Sequence, residues 1–210
     1  QKQSELALEY SNNLLNHMAE LIEKRYGLSS TKIQEKGDFL EQSFNVLNEN
    51  DVVIIGRLGE HSADNNKPMG SNVENFIRGA NCTVITVGEH FEPPKQFIFA
   101  YEFSTVCEKM LQRIAQSDLL KQISCHLLYV GDHPQMLAEP TKYLQAAGFD
   151  VVAAYRYGDV AENILTYQKE HDIALIVLGA FSHSKIHQFF LGSITTTIFR
   201  NANVPLLVAK

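Results

Sequence analysis

Two glycines and a run of hydroxyl side chains near the carboxyl terminus are the residues best suited to chemistry. Gly179 ends an apolar run, and Gly192-Ser193-Ile194-Thr195 opens the next helical pattern. Glycines let the backbone approach an anion closely, and a helix start offers unpaired N–H groups. With the hydroxyls of Ser193 and Thr195, this arrangement predicts a phosphate site. The alternative interpretation is that the glycines only shape turns and Ser193 only caps a helix.

The segments around these residues predict a strand, a loop, a helix and a second strand. Residues 173–178 are an unbroken apolar run, typical of a strand buried on both faces. Apolar residues then recur at near-helical spacing, at Ile194, Ile198, Phe199 and Ala202. Residues 204–208 have the pattern of a short strand. Pro205 lacks a backbone N–H, which is tolerated where the sheet needs no hydrogen-bond donor. In a parallel sheet this order places the helix start at the carboxyl ends of the strands.

Other residues that could do chemistry give weaker patterns. His183 and His187 are four residues apart, a spacing that would set two metal ligands on one helix face. No carboxylate or cysteine stands in register with them, so we predict no metal site. Neither Ser104 nor Ser193 lies in a G-x-S-x-G turn, and Asp159 is best interpreted as a helix cap. We therefore predict no catalytic residues.

Composition narrows the functional classes. A chain of 210 residues has room for one large domain or two small ones, and its net charge of −6 disfavours nucleic acid as a partner. The three cysteines are widely spaced without a C-x-x-C pair, which disfavours a disulfide framework and favours the cytoplasm. Apolar runs stay below the roughly 18–20 residues that cross a bilayer, so we expect no membrane partner.

The chain contains an internal repeat. Residues 70–87 align without a gap with residues 192–209, and the strand at 51–56 matches the one ending at Gly179. A repeat of this length indicates two copies of one domain-sized unit rather than a solenoid. We predict domains at residues 1–92 and 95–210.

The two predicted copies differ in completeness. The second has the order βαβαβαβαβ, which predicts a doubly wound parallel sheet with helices on both faces. The first opens with a helix that Gly27 ends, followed at residues 31–36 by an alternation typical of a strand edge. It lacks its first two strands, and we expect the natural chain to extend further at its amino end.

The spacing Gly179-x2-Ser182-x9-Gly192-Ser193, followed by a helix and a V-P-L-L-V strand, resembles the nucleotide-binding signature of the universal stress protein family. That signature is G-x2-G-x9-G-[S/T], so Ser182 stands in place of a glycine. The resemblance covers nearly the whole chain. It implies an α/β fold with two copies of a Rossmann-like sheet of the adenine-nucleotide alpha-hydrolase type, strand order 3-2-1-4-5, the first copy incomplete.

The resemblance also implies which residues of the second copy bind a nucleotide. The acidic residue that holds the adenine or ribose region corresponds to Glu102, and the family's next glycine to Phe103, which we expect to crowd the site. Val130 would contact adenine through its backbone. The implied set runs from the strand ends to the helix start: Ala100, Glu102, Val130, Leu178, Gly179, Ser182, Gly192, Ser193, Ile194 and Thr195.

Three functional hypotheses follow. The resemblance implies a nucleotide-responsive regulator of stress tolerance that binds ATP, or AMP or ADP, with or without Mg²⁺, and at most hydrolyses ATP slowly. The departures at Ser182 and Phe103 favour a structural or interaction module of the same fold that binds no nucleotide. A nucleotide-transferring enzyme is the third hypothesis, and the sequence lacks the histidine-rich motif that such an enzyme would carry after its first strand.

Self-association is a further expectation. Residues 83–87 and 204–208 are short apolar strands at the edges of their predicted sheets, and such edges favour pairing. The universal stress protein family dimerises through antiparallel pairing of this kind. We therefore expect the two copies to pair within the chain, and the sequence leaves open whether whole chains also form a homodimer.

Overall fold

The computed structural model describes residues 2–57, 71–88, 91–179 and 193–209. These residues form seven strands: β1 Val52–Gly56, β2 Thr83–Val87, β3 Gln96–Ala100, β4 Ser124–Val130, β5 Val151–Arg156, β6 Ile176–Gly179 and β7 Leu206–Ala209. They also form seven α-helices: α1 Lys2–Tyr26, α2 Phe39–Val46, α3 Ser71–Gly79, α4 Thr105–Ala115, α5 Ala138–Ala146, α6 Val160–Glu170 and α7 Ser193–Asn201. The chain divides into two compact units, Gln1–Asn45 and Val46–Lys210.

The first unit is built on α1. The helix ends at Gly27, which has a left-handed φ of 67° and donates its N–H to the Glu23 carbonyl at 2.8 Å. The predicted glycine stop is therefore confirmed. The strand predicted at residues 31–36 is wrong, because Lys32 and Gln34 bond to the helix instead: Lys32 Nζ donates to Asn16 Oδ1 and Gln34 Nε2 to Ser11 Oγ, each at 2.7 Å.

The second unit contains one sheet with the order β1-β2-β7-β6-β3-β4-β5. From β3 onward, the five strands of the second predicted copy are all parallel and stand in the order 3-2-1-4-5. This part of the fold prediction is confirmed. The sheet continues without interruption into β1 and β2, so the described strands of both predicted copies share one sheet.

The pairing of β2 with β7 is the antiparallel contact expected between the copies. Val84 pairs with Val208, Ile85 with Leu207 and Thr86 with Leu206. In the repeat alignment residue 84 corresponds to 206, 85 to 207 and 86 to 208. The pairs therefore run symmetrically about the 85–207 pair, which is the register that a two-fold axis between equivalent strands would give.

The predicted boundary near residues 92–95 lies inside the second unit, between β2 and β3. The division of the chain into domains 1–92 and 95–210 stays a prediction. None of the described helices combines the length and apolarity needed to cross a lipid bilayer.

The core of the second unit lies on both faces of its central strands. On one face Phe97, Phe99 and Leu127 are fully buried against α4 and α5. On the other face α6 and α7 cover the sheet with Ile164, Tyr167, Ile198 and Phe199, none of them more than 2% exposed. Burial on both faces explains the unbroken apolar runs that predict these strands.

Side chains cap two of the helices that leave the sheet. Ser104 Oγ accepts from the Cys107 N–H at 3.2 Å at the start of α4, and Asp159 Oδ1 accepts from the Glu162 N–H at 2.8 Å at the start of α6. The interpretation of Asp159 as a cap is confirmed.

Candidate functional site

The carboxyl ends of β3, β4 and β6 form the edge at which the predicted site residues meet. Ala100, the last residue of β3, pairs with Leu178 of β6 on one side and with Leu128 of β4 on the other. The chain leaves β3 towards β4 and leaves β6 towards β7, in opposite directions along the sheet. Such a switch point opens the crevice in which parallel sheets bind ligands.

Alternation along the strands places these side chains on one face. Ala100, Leu128 and Leu178 are at most 5% exposed, so they belong to the core at this edge of the sheet. Glu102 and Val130 stand two residues further along, past or at the end of their strands, and are partly buried. The structure thus brings five strand-end residues to one edge. Four of them are predicted site residues, and Leu128 is the fifth.

Phe103 has the backbone of the glycine that it replaces but does not crowd this face. Its φ is 57°, in the left-handed region that disfavours bulky side chains. Its ring packs edge-to-face on Tyr101 and Tyr129, with centroids 4.8 and 5.0 Å away, on the sheet face opposite Ala100. The expected crowding is therefore corrected: the ring lies on the other face of the sheet, and its aromatic contacts offset the backbone strain.

Gly179 lets α4 approach the end of β6. A Cβ at this position would lie 3.0 Å from Cys107 Sγ and 3.4 Å from Val106 Cγ1. Cys107 Sγ also donates to the Ala100 carbonyl at 3.8 Å. The glycine therefore has a packing role at the switch point, which the sequence pattern alone did not separate from a phosphate-binding role.

The amino end of α7 supplies the other side of the site. Ser193, the first residue of the helix, is exposed, and Ile194 is partly buried. Thr195 is fully buried, and its Oγ1 has no hydrogen-bond partner among the residues that the structure describes. By contrast, Thr197 Oγ1 donates to the Ser193 carbonyl at 2.9 Å, the usual bond of a helical threonine.

Two predicted site residues, Ser182 and Gly192, lie outside the described residues, as do His183 and His187. Within the described part of the chain, no group of three or more histidine, cysteine or acidic side chains could hold a metal ion. Burial raises the pKa of the Cys107 thiol above its usual value and that of Cys125 to about 12. Both thiols are protonated at neutral pH and poorly suited to nucleophilic chemistry.

Arg57 contacts α7, the helix whose amino end belongs to the candidate site, and the sequence analysis missed it. It follows β1 in the first predicted copy, and its guanidinium reaches the carbonyl end of α7. In the sequence it is only an arginine that directly follows an apolar strand. Because its partners lie more than 140 positions away, no local pattern could have identified the contact.

A second polar cluster surrounds His126, near the amino ends of the strands and remote from this edge. The Tyr167 hydroxyl lies 2.9 Å from His126 Nδ1, and Gln96 Oε1 lies 3.1 Å from Nε2. Gln96 Nε2 donates to the His171 carbonyl at 2.6 Å, which fixes the amide so that its oxygen accepts from His126 Nε2–H. His126 Nδ1 then accepts from the tyrosine hydroxyl, which requires a neutral imidazole.

The surroundings favour that neutral form. Burial, and after it the neighbouring His171, lower the pKa of His126 from its usual 6.5, while Asp150 opposes the shift. The unfolded chain therefore binds more protons than the folded chain just below pH 6.5, and stability falls as the pH drops through that range.

We expect the free energy of unfolding of His126→Gln to fall less than that of the wild-type protein as the pH drops below about 6.5. At about pH 7.5 the variant should be less stable by about 1 kcal/mol, because one buried hydrogen bond weakens. The difference should shrink towards about pH 5, since glutamine has no proton to gain. Urea denaturation of both proteins across this range measures it, and parallel profiles would contradict the assignment of His126.

Comparison with known proteins decides the family. The model of the universal stress protein family matches residues 136–210. The universal stress protein Slr1230 of Synechocystis sp. is 31% identical over 218 residues, which cover 97% of this chain and 76% of that protein. The chain belongs to the universal stress protein family.

Solved structures of universal stress proteins share the fold. One from Archaeoglobus fulgidus is similar over 96% of this chain and 76% of its own, with a TM-score of 0.76 and 20% identity. A putative universal stress protein from Pseudomonas aeruginosa covers 95% of this chain and 78% of its own, with a TM-score of 0.65 and 14% identity. Both likenesses extend beyond the second predicted copy, and they confirm the α/β fold class.

Proposed function

We propose that this universal stress protein binds ATP, or a related adenine nucleotide, in its second repeat and acts as a nucleotide-responsive regulator of stress tolerance. The nucleotide would lie in the crevice at the ends of β3, β4 and β6, with its phosphates at the amino end of α7. Mg²⁺ would arrive with the phosphates rather than on a preformed carboxylate cluster.

The observation that carries this proposal is the buried hydroxyl of Thr195, which has no partner in the described part of the chain. Leaving such a group unpaired costs about 1–3 kcal/mol, so a native structure rarely keeps one without a reason. Thr195 lies in the first turn of α7, on the same helical stripe as Ile198 and Phe199, where the helix faces the sheet. A phosphate oxygen at this helix end would accept from Oγ1 and from backbone N–H groups of the first turn together.

The rest of the edge fits an adenine nucleoside. The buried side chains of Ala100, Leu128 and Leu178 make this edge of the sheet apolar, which suits a base or sugar lying over it, and Glu102 would add acceptor oxygens for ribose hydroxyls. Because Phe103 packs on the opposite face, its ring does not occupy this side of the sheet. This removes one argument for the alternative, a module that binds no nucleotide.

The proposal extends to location and assembly. We propose that the protein works in the cytoplasm, where the buried, unbridged thiols of Cys107 and Cys125 would stay reduced. We also propose that β2 and β7 within one chain take the place of the pairing between two single-domain subunits. Association of whole chains would then use another surface.

Calorimetric titration of the protein with ATP, in the presence and absence of Mg²⁺, tests the proposal. We expect saturable binding of one nucleotide per chain, with weaker binding of tripolyphosphate and of adenosine because each supplies only half of the contacts. Absence of any binding at millimolar concentrations of ATP, ADP and AMP would contradict the proposal and favour the interaction module. Equal binding of tripolyphosphate and ATP would show that the adenosine moiety contributes nothing, and would contradict the proposal that the site recognises adenine.

A further inference from the structure

The Arg57 guanidinium closes the carbonyl end of α7. Its Nη2 donates to the Phe199 carbonyl at 2.6 Å, and its Nη1 donates to the carbonyls of Ala202 and, at 3.4 Å, Val204. The residue is 6% exposed. Three backbone carbonyls at and beyond the last turn of one helix thus share one side chain from another repeat.

α7 needs a partner of this kind. It has nine residues, and isolated helices below about 12–15 residues are marginal in water. The last carbonyls of a helix have no partner within it and form the negative end of its dipole, which a cation stabilises. Burial lowers the pKa of Arg57 from its usual value, yet arginine starts so far above neutrality that it stays charged.

The repeat makes this contact one-sided. β1 corresponds to β6 in the repeat alignment, so residue 57 corresponds to Ala180, which carries no side-chain donor. The sequence therefore does not permit the reciprocal contact from the second repeat to α3. Of the two equivalent helices, only the one that starts with the proposed phosphate-binding residues can receive an arginine from this position.

We propose that Arg57 of the first repeat is a positioning residue for the nucleotide site of the second repeat. By fixing the carbonyl end of α7, it orders the short helix whose amino end meets the phosphates. This inference rests on the proposed function, and it makes nucleotide affinity in one repeat depend on a side chain of the other. It explains why a charged residue is buried at a position where the repeat has alanine in its other copy.

Three variants test this role in the full chain. Arg57→Met keeps the length of the side chain without its donors, and Arg57→Lys keeps the charge without the planar fork that serves several carbonyls. Arg113→Met is the matched control, because Arg113 is an exposed arginine in the last turn of α4. ATP affinity is measured by calorimetry at a temperature where circular dichroism shows each protein folded. Hydrogen exchange of the α7 amides is followed by mass spectrometry.

We expect Arg57→Met to weaken ATP binding about tenfold and to speed exchange in α7, with Arg57→Lys in between and Arg113→Met unchanged. Wild-type affinity in Arg57→Met, with or without faster exchange, would overturn the positioning role while leaving the proposed function intact. If Arg57→Met does not fold, Arg57→Lys decides by the same criterion. A wild-type protein that binds no nucleotide would overturn the proposed function, and this inference with it.

Discussion

Thr195→Val should make the protein more stable and a weaker binder of ATP. Valine has nearly the shape of threonine and removes a buried hydroxyl that has no partner among the described residues, so the free energy of unfolding should rise by about 1 kcal/mol. For a unit of this size that corresponds to about 2–4 °C in melting temperature. The same change removes a donor to a charged phosphate, which should weaken ATP binding about tenfold. Calorimetric titration and thermal unfolding without nucleotide measure the two effects.

The chain offers a matched control for this variant in Thr86. It is also fully buried, and its Oγ1 likewise has no partner in the described ranges, but it lies in β2, where it pairs with Leu206. Thr86→Val should stabilise the protein as much as Thr195→Val and leave ATP binding unchanged. Equal ATP affinity in both variants would exclude Thr195 as a phosphate ligand. Destabilisation by Thr195→Val would indicate that its hydroxyl has a structural role instead.

Opposite signs in the two measurements separate function from packing. A residue kept only for structure should lower stability when it is replaced, whereas a residue kept for a ligand can raise it. Thr197, two positions away, is the structural type, since its hydroxyl is satisfied within the helix. One helix therefore carries both kinds of threonine, and the sequence T-T-T does not distinguish them.

The second repeat was largely predictable because its elements are fixed by local patterns. Apolar runs buried on both faces mark β3 and β6, and hydroxyl and carboxylate caps at Ser104 and Asp159 mark the helix starts. Because connections between parallel strands are almost always right-handed, these elements can be arranged in only a few ways. The strand order and the meeting of Ala100 with Leu178 at one edge follow from that restriction.

Contacts between distant segments could not be predicted in the same way. The alternation at residues 31–36 has the period of a strand, but Lys32 and Gln34 use it to reach α1. Phe103 in place of glycine suggests crowding until the positions of Tyr101 and Tyr129 show which sheet face the ring occupies. Arg57 depends on the register of β2 against β7, which brings the two repeats together. Each of these contacts depends on a partner residue that the local sequence does not reveal.

The packing of Gly179 on Cys107 gives the second prediction with a large effect. In Gly179→Ala the new methyl group would lie 3.0 Å from Cys107 Sγ, closer than side chains normally approach. We expect a loss of about 1–2 kcal/mol in the free energy of unfolding, because overpacking exceeds the small entropic gain from replacing glycine. ATP binding should weaken as well, since α4 and β6 must move apart where the crevice opens.

Removing the sulfur should relieve this clash. Cys107→Ala alone should cost about 1 kcal/mol through a small cavity, but combined with Gly179→Ala it makes room for the methyl group. The double variant should therefore be more stable than the sum of the single changes predicts, by at least about 0.5 kcal/mol, and should recover ATP affinity.

Cys125→Ala is the control, because Cys125 is equally buried but contributes none of the atoms nearest to Gly179. If Gly179→Ala combines additively with both cysteine changes, the contact with α4 does not explain the glycine. A role in direct approach of the backbone to the phosphates would then be favoured, and the affinity loss of Gly179→Ala would persist in both double variants.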